Sequence, residues 1–430
     1  MPRLSPSLLR HAARVDRHLS ILLKECRDLR TAQNELRWMK ESILESDLEF
    51  DHQSPTLHHE STWRSSTSNG KKLNDYIRRR ARSEPLQYIL GTQPFGELEI
   101  KCRSGVLIPR LDTETYTTEL ARFLMQNAAL LSADQERQNH SWRIADFCTG
   151  SGCIALLLHS LLKPLQATLR SDRPPPSIRA YDISEDALKL ARENLQHNMR
   201  YASLHQDAAR DVTFEHVDVL SLPELSKPEI LLKLFPSDTH SARRQTFDVI
   251  VSNPPYISPN HFKPGGSTSK SVRKYEPRLA LVPPDTCFYH SRHLDQADQF
   301  YAALLRIAFA TDAKLLVMEV GDAEQAKRVR ELARKRMERR QKYAGKGLIE
   351  IWKDDNSVVP DEEVDIGLSF LPGVTEAQPE DEQAECRVVA IWFDAQWIDV
   401  RRQWMKQPQL NVVPGQVKSA RVQRGYLSPH

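Results

Sequence analysis

No stretch of this 430-residue chain approaches the roughly 18 consecutive apolar residues that a membrane-spanning helix needs. Its six cysteines, at 26, 102, 148, 153, 287 and 386, include no C-x-x-C pair. That argues against a disulfide framework and a zinc site and for a reducing compartment. Net charge is only +3, which does not fit a protein that coats nucleic acid. Acids are missing from residues 1–15, where Arg3, Arg10 and Arg14 stand with two serines. A mitochondrial transit segment fits that composition. The basic start of an ordinary helix fits it too, since Asp16 closes the acid-free run. The length leaves room for two or three domains.

The most informative stretch is Phe247-Asp248-Val249-Ile250-Val251-Ser252-Asn253-Pro254-Pro255-Tyr256-Ile257. Its first half is a β-branched run that reads as a buried strand. The two prolines stop that strand, because neither can donate to a sheet ladder. Asn253 and Tyr256 are therefore expected on a rigid turn at a strand's carboxyl end, where ligands bind in open parallel sheets. Such a turn offers the Asn253 side-chain carbonyl and the Pro254 carbonyl as acceptors, and Tyr256 as an aromatic face. These are the groups needed to hold a flat amide or ring amino nitrogen, whose delocalised lone pair makes it a reluctant nucleophile. A stiff turn with no chemical role fits the same residues.

Taken in order, the chain opens with apolar residues at helical spacing (Leu8, Leu9, Ala12, Val15, Leu19, then Leu36, Met39, Ile43), which predicts helices over 5–50. Residues 51–73 read as a polar linker. A helix over 73–82 ends in a basic cluster that reads as a solvated face. Residues 1–83 thus form a small helical domain. Gly and Pro punctuate 84–101, so 84–110 reads as a β-hairpin connector. Asp112 is placed to cap the next helix, which runs to about 131.

Residues 111–400 form the larger domain. Arg143-Ile144-Ala145-Asp146-Phe147-Cys148 is a strand, Thr149-Gly150-Ser151-Gly152 a tight turn, and 153–162 a helix. That is the first unit of a doubly wound nucleotide-binding sheet, with glycines that let the backbone approach a ligand. Ile178-Arg179-Ala180-Tyr181-Asp182 is the second strand, ending in an acid where such folds hold ribose hydroxyls; a helix-start carboxylate is the other reading. Further strands are expected at 212–217, followed by Asp218, and at 314–320, 347–352 and 387–393. Insertions fall near 163–177, 221–245 and 354–385. A long loop over 258–290 reads as a lid. The Lys- and Arg-rich helix over 323–340 reads as a solvated face, and 401–430 as a polar tail.

Several motifs, in this order, resemble the HemK-type protein-(glutamine) N5-methyltransferases of peptide-chain release factors. They are Glu84-Pro85-Leu86-Gln87-Tyr88-Ile89-Leu90-Gly91, Ile108-Pro109-Arg110 with Thr113-Glu114, the run from Asp146 through Cys153, Tyr181-Asp182-Ile183-Ser184, Asn253-Pro254-Pro255-Tyr256, Tyr275-Glu276-Pro277 with Leu279-Ala280-Leu281, and Glu319-Val320-Gly321. The resemblance covers about residues 5–393, insertions aside. It implies an α/β fold: a Rossmann-like class I methyltransferase sheet with a small helical N-terminal domain joined by a β-hairpin. It implies S-adenosylmethionine at Cys148, Thr149, Gly150, Ser151 and Gly152, with Asp182 on the ribose and Asp218 and Val219 flanking the adenine. Asn253 would touch both methyl donor and acceptor. The turn Asn253, Pro254, Pro255 and Tyr256 would hold the glutamine amide, with Asn253, Pro254 and Tyr256 as catalytic residues.

No metal is implied, because a sulfonium is already an activated electrophile. The implied partner is a release factor carrying Gly-Gly-Gln, docked on the N-terminal domain. A monomer without stable nucleic-acid binding is expected. The insertions, the arginine-bearing start and the N-terminal domain favour a eukaryotic mitochondrial (matrix) enzyme, with the cytoplasm as the alternative. Two other functions compete: an N6-adenine DNA or RNA methyltransferase with a similar turn, and a non-catalytic adaptor for release factor or ribosome. Three positions depart from the family pattern. Cys148 replaces a glycine and is tolerable if its backbone is strand-like. Leu111 replaces the usual proline. Val282-Pro283-Pro284-Asp285 replaces a Gly- and Asp-rich stretch.

Overall fold

The computed structural model describes residues 4–51, 67–131, 142–163, 176–222, 226–235, 246–285, 294–340, 346–353, 358–360 and 385–406. Cys287, residues 1–3, most of the insertions near 163–177 and 354–385, and the tail from 407 lie outside the described residues.

Two strands, β1 (Thr92–Phe95) and β2 (Leu98–Lys101), pair as a hairpin. The other eight form one sheet: β3 (Arg143–Phe147), β4 (Ser177–Asp182), β5 (Val212–His216), β6 (Val249–Ser252), β7 (Leu315–Glu319), β8 (Leu348–Lys353), β9 (Val358–Pro360) and β10 (Cys386–Trp392). Their order is β5-β4-β3-β6-β7-β10-β8-β9. The run from β5 to β7 is parallel. Antiparallel β10 is inserted between β7 and β8. The expected Rossmann-like sheet is thus present. The chain moves outward from β3 to β5, then crosses back to β6. The gap between the carboxyl ends of β3 and β6 is the topological switch point, where open α/β sheets bind ligands.

Why the sheet sits in the middle follows from its residues. β6 and β7 are apolar up to their last residue, β3 sets Ile144, Ala145 and Phe147 beside Arg143 and Asp146, and all three are buried on both faces at nearly every position, as parallel strands covered by helices must be. Ile144, Ile178, Val249, Val251, Leu315 and Val317 face one core, which helices Leu111–Gln126, Cys153–Leu162, Glu185–Arg200 and Ala395–Lys406 cover. Ala145, Phe147, Tyr181, Ile250, Leu316 and Met318 face the other, under helices Lys227–Leu234, Gln299–Ala310 and Ala323–Glu338.

The N-terminal helices Pro6–Val15, Leu19–Cys26, Leu29–Asp51 and Thr67–Arg80 share a separate core of Leu22, Leu23, Trp38, Met39, Leu73 and Ile77. The linker expected over 51–73 is shorter at its far end, because the helix begins at Thr67. The segment before the hairpin is also not extended: Leu86–Leu90 is a turn of helix closed by Gly91 in the left-handed region. The basic cluster is not wholly a solvated face. Arg80 donates to Glu35 at 2.7 Å, and Arg79 to Glu84 at 2.6 Å and to the Tyr88 carbonyl. The hairpin is fastened to the larger domain by two asparagines of helix Glu185–Arg200. Asn198 accepts from the Glu99 amide and Asn194 from the Lys101 amide, at 3.0 and 2.8 Å.

Other expectations need correction. Asp112 does not cap its helix; Arg110 occupies the cap position, and Asp112 pairs with Arg387 at 3.1 Å. The 221–245 insertion holds helix Lys227–Leu234, whose Ile230 and Leu234 enter the core. The polar tail begins later than 401, because Ala395–Lys406 is helical. Arg401 is buried there, paired with Glu350 at 3.0 Å and set against the rings of Trp404, Trp352 and Trp392. On helix Ala323–Glu338, Lys327, Arg334 and Lys335 form the expected solvated face with Glu324, Glu331 and Glu338, whereas Arg328 pairs with the buried Asp298 and Arg336 donates to the Ala302 carbonyl.

Candidate active site

Register places four strand ends side by side: Asp182 closes β4, Cys148 follows β3, Asn253 follows β6 and Glu319 closes β7. The turn after β3 is built from left-handed residues, with φ of +61° at Cys148, +57° at Gly150 and +80° at Gly152. The condition set for tolerating Cys148, a strand-like backbone, is therefore not met. The cysteine takes up the conformation that a glycine adopts without cost, at a strain of about 1–2 kcal/mol. A Cβ on Gly152 would lie 3.0 Å from that of Ala191 and 3.2 Å from Phe214, so with its left-handed backbone any side chain there would be strained. The Thr149 amide donates to the Tyr181 carbonyl, and its hydroxyl donates to Asp146 Oδ2 at 2.6 Å. Ser151 is buried, and its carbonyl accepts from Asn194.

Asp182 accepts from the Gly150 amide at 2.8 Å and from the Ser184 amide at 2.9 Å. Removal from water pushes its carboxyl up against these bonds. Asp146 is fully buried, and its Oδ1 has no hydrogen-bond partner among the described residues. Burial pushes it up to about 7. Asp218 lies next to the β4 end, since the Val217 amide donates to the Asp182 carbonyl. Its own carboxylate accepts from the Leu220 amide. The Val219 side chain is in the core, which leaves only its backbone to meet a ligand.

On the other side of the switch point, all four residues of β6 are buried, and Ser252 donates to the Phe147 carbonyl at 2.7 Å. This bond ties the end of β6 to the end of β3. Asn253 Nδ2 donates to Thr113 Oγ1 at 3.1 Å. Thr113 donates to Glu319 Oε2 at 2.6 Å, and the Tyr256 hydroxyl donates to Glu319 Oε1 at 3.1 Å. Neither Asn253 Oδ1 nor the Pro254 carbonyl accepts a hydrogen bond from any described residue. Glu319 is buried, and its carboxyl is pushed up to about 7 by desolvation, against the bonds from Thr113 and Tyr256.

The turn is braced from behind. Gln325, buried at the start of helix Ala323–Glu338, donates to the Tyr256 carbonyl and accepts from the Gly321 amide. The Ile257 amide donates to the Leu281 carbonyl, which fastens the turn to the loop after it. The buried Glu276 of that loop accepts from Arg110 at 2.6 Å and from the Ile108 amide at 3.2 Å. Two of the motifs quoted above thus clamp each other. Leu111, next to the clamp, is half exposed.

Gly321 sets the place of the tyrosine ring. A Cβ there would lie 3.0 Å from Tyr256 Cδ2 and 3.2 Å from Gln325. Gly321→Ala is expected to shift the ring and lower kcat by about tenfold. Stability should change by less than about 1 kcal/mol, because the backbone is not left-handed there. Steady-state kinetics beside thermal melting checks this.

Asp146, Asp182 and Glu319 form no ion pair with Lys, Arg or His among the described residues. Buried acids without a cation are costly unless a ligand supplies one. The glycine cradle, the orphaned Asp146 oxygen and this negative charge suit a cationic ligand at the β3–β4 side. The two free carbonyl oxygens at the β6 side suit a group with two N–H donors. Sequence reasoning quoted Asp146, Thr113 and Glu319 within motifs but gave them no role, and it passed over Gln325. An acid deep in a buried strand, or closing an otherwise apolar one, is the signal that could have found Asp146 and Glu319. No group of His, Cys, Asp or Glu among the described residues is arranged to hold a metal. No helix among them is long and apolar enough to cross a membrane.

No protein-family model matches the chain. A Schizosaccharomyces pombe protein named as a probable MRF1 mitochondrial N(5)-glutamine methyltransferase is 34% identical over 270 residues, which are 61% of this chain and 72% of that protein. The mitochondrial MRF1 N(5)-glutamine methyltransferase of Saccharomyces cerevisiae is 31% identical over 327 residues, 76% of this chain and 78% of that one. The release factor glutamine methyltransferase of Lactococcus lactis is 32% identical over 211 residues, 49% of this chain and 57% of the bacterial one. The chain belongs to the release factor glutamine methyltransferase family, the family its motifs resemble.

Proposed function

We propose that this chain transfers a methyl group from S-adenosylmethionine to the side-chain amide nitrogen of the glutamine in the Gly-Gly-Gln motif of a mitochondrial release factor. It would act as a monomer in the mitochondrial matrix; the names of the two yeast relatives carry the word mitochondrial. The donor would lie against Cys148, Thr149, Gly150, Ser151 and Gly152, with Asp182 on the ribose and Asp218 and the Val219 backbone by the adenine. The free Asp146 oxygen is a fitting partner for a cationic group of the same molecule. Bound there, the donor supplies a methyl group on positively charged sulfur.

The chain's own task is to aim the nitrogen. Asn253 Oδ1 and the Pro254 carbonyl accept the two N–H groups of the carboxamide, and the Tyr256 ring lies along its plane. An amide so held presents its nitrogen to the methyl group, and orientation of this kind supplies about 7–11 kcal/mol in favourable cases. The bound donor would supply the methyl group to that nitrogen, and the proton the nitrogen sheds would pass to water. Pro255 keeps the turn stiff. The helical N-terminal domain would dock the release factor.

The observation that carries this reading is the pair of unused acceptors on the proline turn. An N6-adenine methyltransferase is not favoured, since the relatives are named for glutamine methylation and the net charge is only +3. Labelled methyl transfer tests the proposal. Label should enter a release factor ending its tip in Gly-Gly-Gln, and neither the Gly-Gly-Ala version nor DNA. Equal labelling of the Gly-Gly-Ala version would refute it.

A further inference from the structure

We propose that Glu319 and Thr113 are positioning residues that decide which end of the Asn253 carboxamide faces the substrate; this rests on the assignment of Asn253 as the acceptor. An ionised carboxylate can only accept hydrogen bonds. Glu319 takes the Thr113 hydroxyl on one oxygen and the Tyr256 hydroxyl on the other, at 2.6 and 3.1 Å. Thr113 has a single hydroxyl proton. Once that proton points at Glu319, its oxygen is left to accept, and the Asn253 atom 3.1 Å away must be a donor. Asn253 therefore turns its NH₂ to Thr113 and leaves its oxygen for the pocket.

Without that constraint the two ends of an asparagine side chain are almost equal in shape. The wrong end would set an N–H donor against the N–H donors of a glutamine amide. The same carboxylate fixes the Tyr256 hydroxyl, so it is the ring that remains to meet the substrate. A merely structural residue at the end of β7 needs no charge. The rest of that strand is apolar and fully buried, and an unpaired acid there is costly. The arrangement is the more telling because its members are distant in sequence: 140 residues separate Thr113 from Asn253, and 206 separate it from Glu319.

Steady-state methyl transfer to the release factor by the full chain tests this, with donor affinity and melting temperature measured beside it. Thr113→Val keeps the shape and loses the hydroxyl. It is expected to lower kcat roughly 10–100-fold, while KM for the release factor and donor affinity change by less than about threefold. Thr113→Ser should recover most of the rate. Glu319→Gln offers one donor and one acceptor to two hydroxyls that both need an acceptor, so it should lose a similar factor. The double variant Thr113→Val with Glu319→Gln should be no slower than the worse single one, because both break one chain of bonds. Losses that multiply in the double variant, or a Thr113→Ser enzyme as slow as Thr113→Val, would overturn the inference. A wild-type chain that leaves the glutamine unmethylated would instead refute the acceptor assignment beneath it.

Discussion

Asn253→Ala is expected to lower kcat roughly 10²–10³-fold, the loss typical of one preorganised polar group aimed at the reacting centre. The donor dissociation constant should change by less than about threefold. The asymmetry follows from where Asn253 sits. The donor's proposed contacts are spread over the β3 turn, Asp182 and the Asp218 region, whereas the amide has only two acceptors in view. Removing Oδ1 leaves one substrate N–H without a partner and lets the carboxamide rotate about its own bond. It also leaves the Thr113 oxygen without the donor it now accepts from. Asn253→Asp should fare no better, although it keeps an acceptor in place, because its second oxygen would face the oxygen of Thr113. Calorimetric titration of the donor, beside single-turnover methyl transfer, separates the two effects. Equal losses in affinity and rate would contradict the role given to Asn253.

Much of this site was legible in the chain because its parts are local. A strand stopped by two prolines puts Asn253 and Tyr256 at its end whatever surrounds it. A Gly-bearing turn between strand and helix does the same for residues 148–152. The missed residues act only through partners far away in sequence. Thr113 lies on a helix whose apolar spacing says nothing of its hydroxyl, and Glu319 gains its meaning when β7 pairs beside β6. Local pattern likewise shows strands near 348–353 and 386–392 but not that the later one slips between its predecessors, since both run buried and apolar. The Cys148 backbone is not legible for a related reason. Residue type leaves its conformation open, but the turn must reverse within the few residues between β3 and its helix, and it imposes a positive φ on the cysteine. The far end of the chain was misread through its charges: Arg401 looked like surface until Glu350 and three tryptophan rings closed around it.

The chain without its ligands is expected to lose stability as pH rises from about 4.5 to 8, and to gain activity over the upper part of the same range. Glu319 titrates near 4.5 when exposed and at about 7 in the fold. A carboxyl whose folded pKa is raised binds its proton more tightly when folded. Its contribution is fully present below about pH 4.5 and is lost as pH climbs through 7, about 3 kcal/mol in all. Arg110, Asp112, Tyr116, Tyr256, Tyr301 and Cys153 face this carboxyl from the surrounding elements. Of these only Arg110 brings positive charge, and it is already bound to Glu276. Asp146, also at about 7, adds a change of the same sign. The catalytic demand is the opposite one, because only an ionised Glu319 accepts from both hydroxyls. When protonated, it can donate to Thr113, which can then donate to Asn253 and present the wrong end of the amide to the substrate. The kcat/KM of the free enzyme should therefore rise with pH through about 7. Chemical denaturation of wild type and Glu319→Gln at pH 5 and pH 8 isolates the first effect: the variant should gain on wild type by up to about 3 kcal/mol between the two. A difference that stays constant across that range would mean that the buried carboxyl keeps its ordinary affinity for protons. It would also remove the physical reason to assign the acid limb of activity to Glu319.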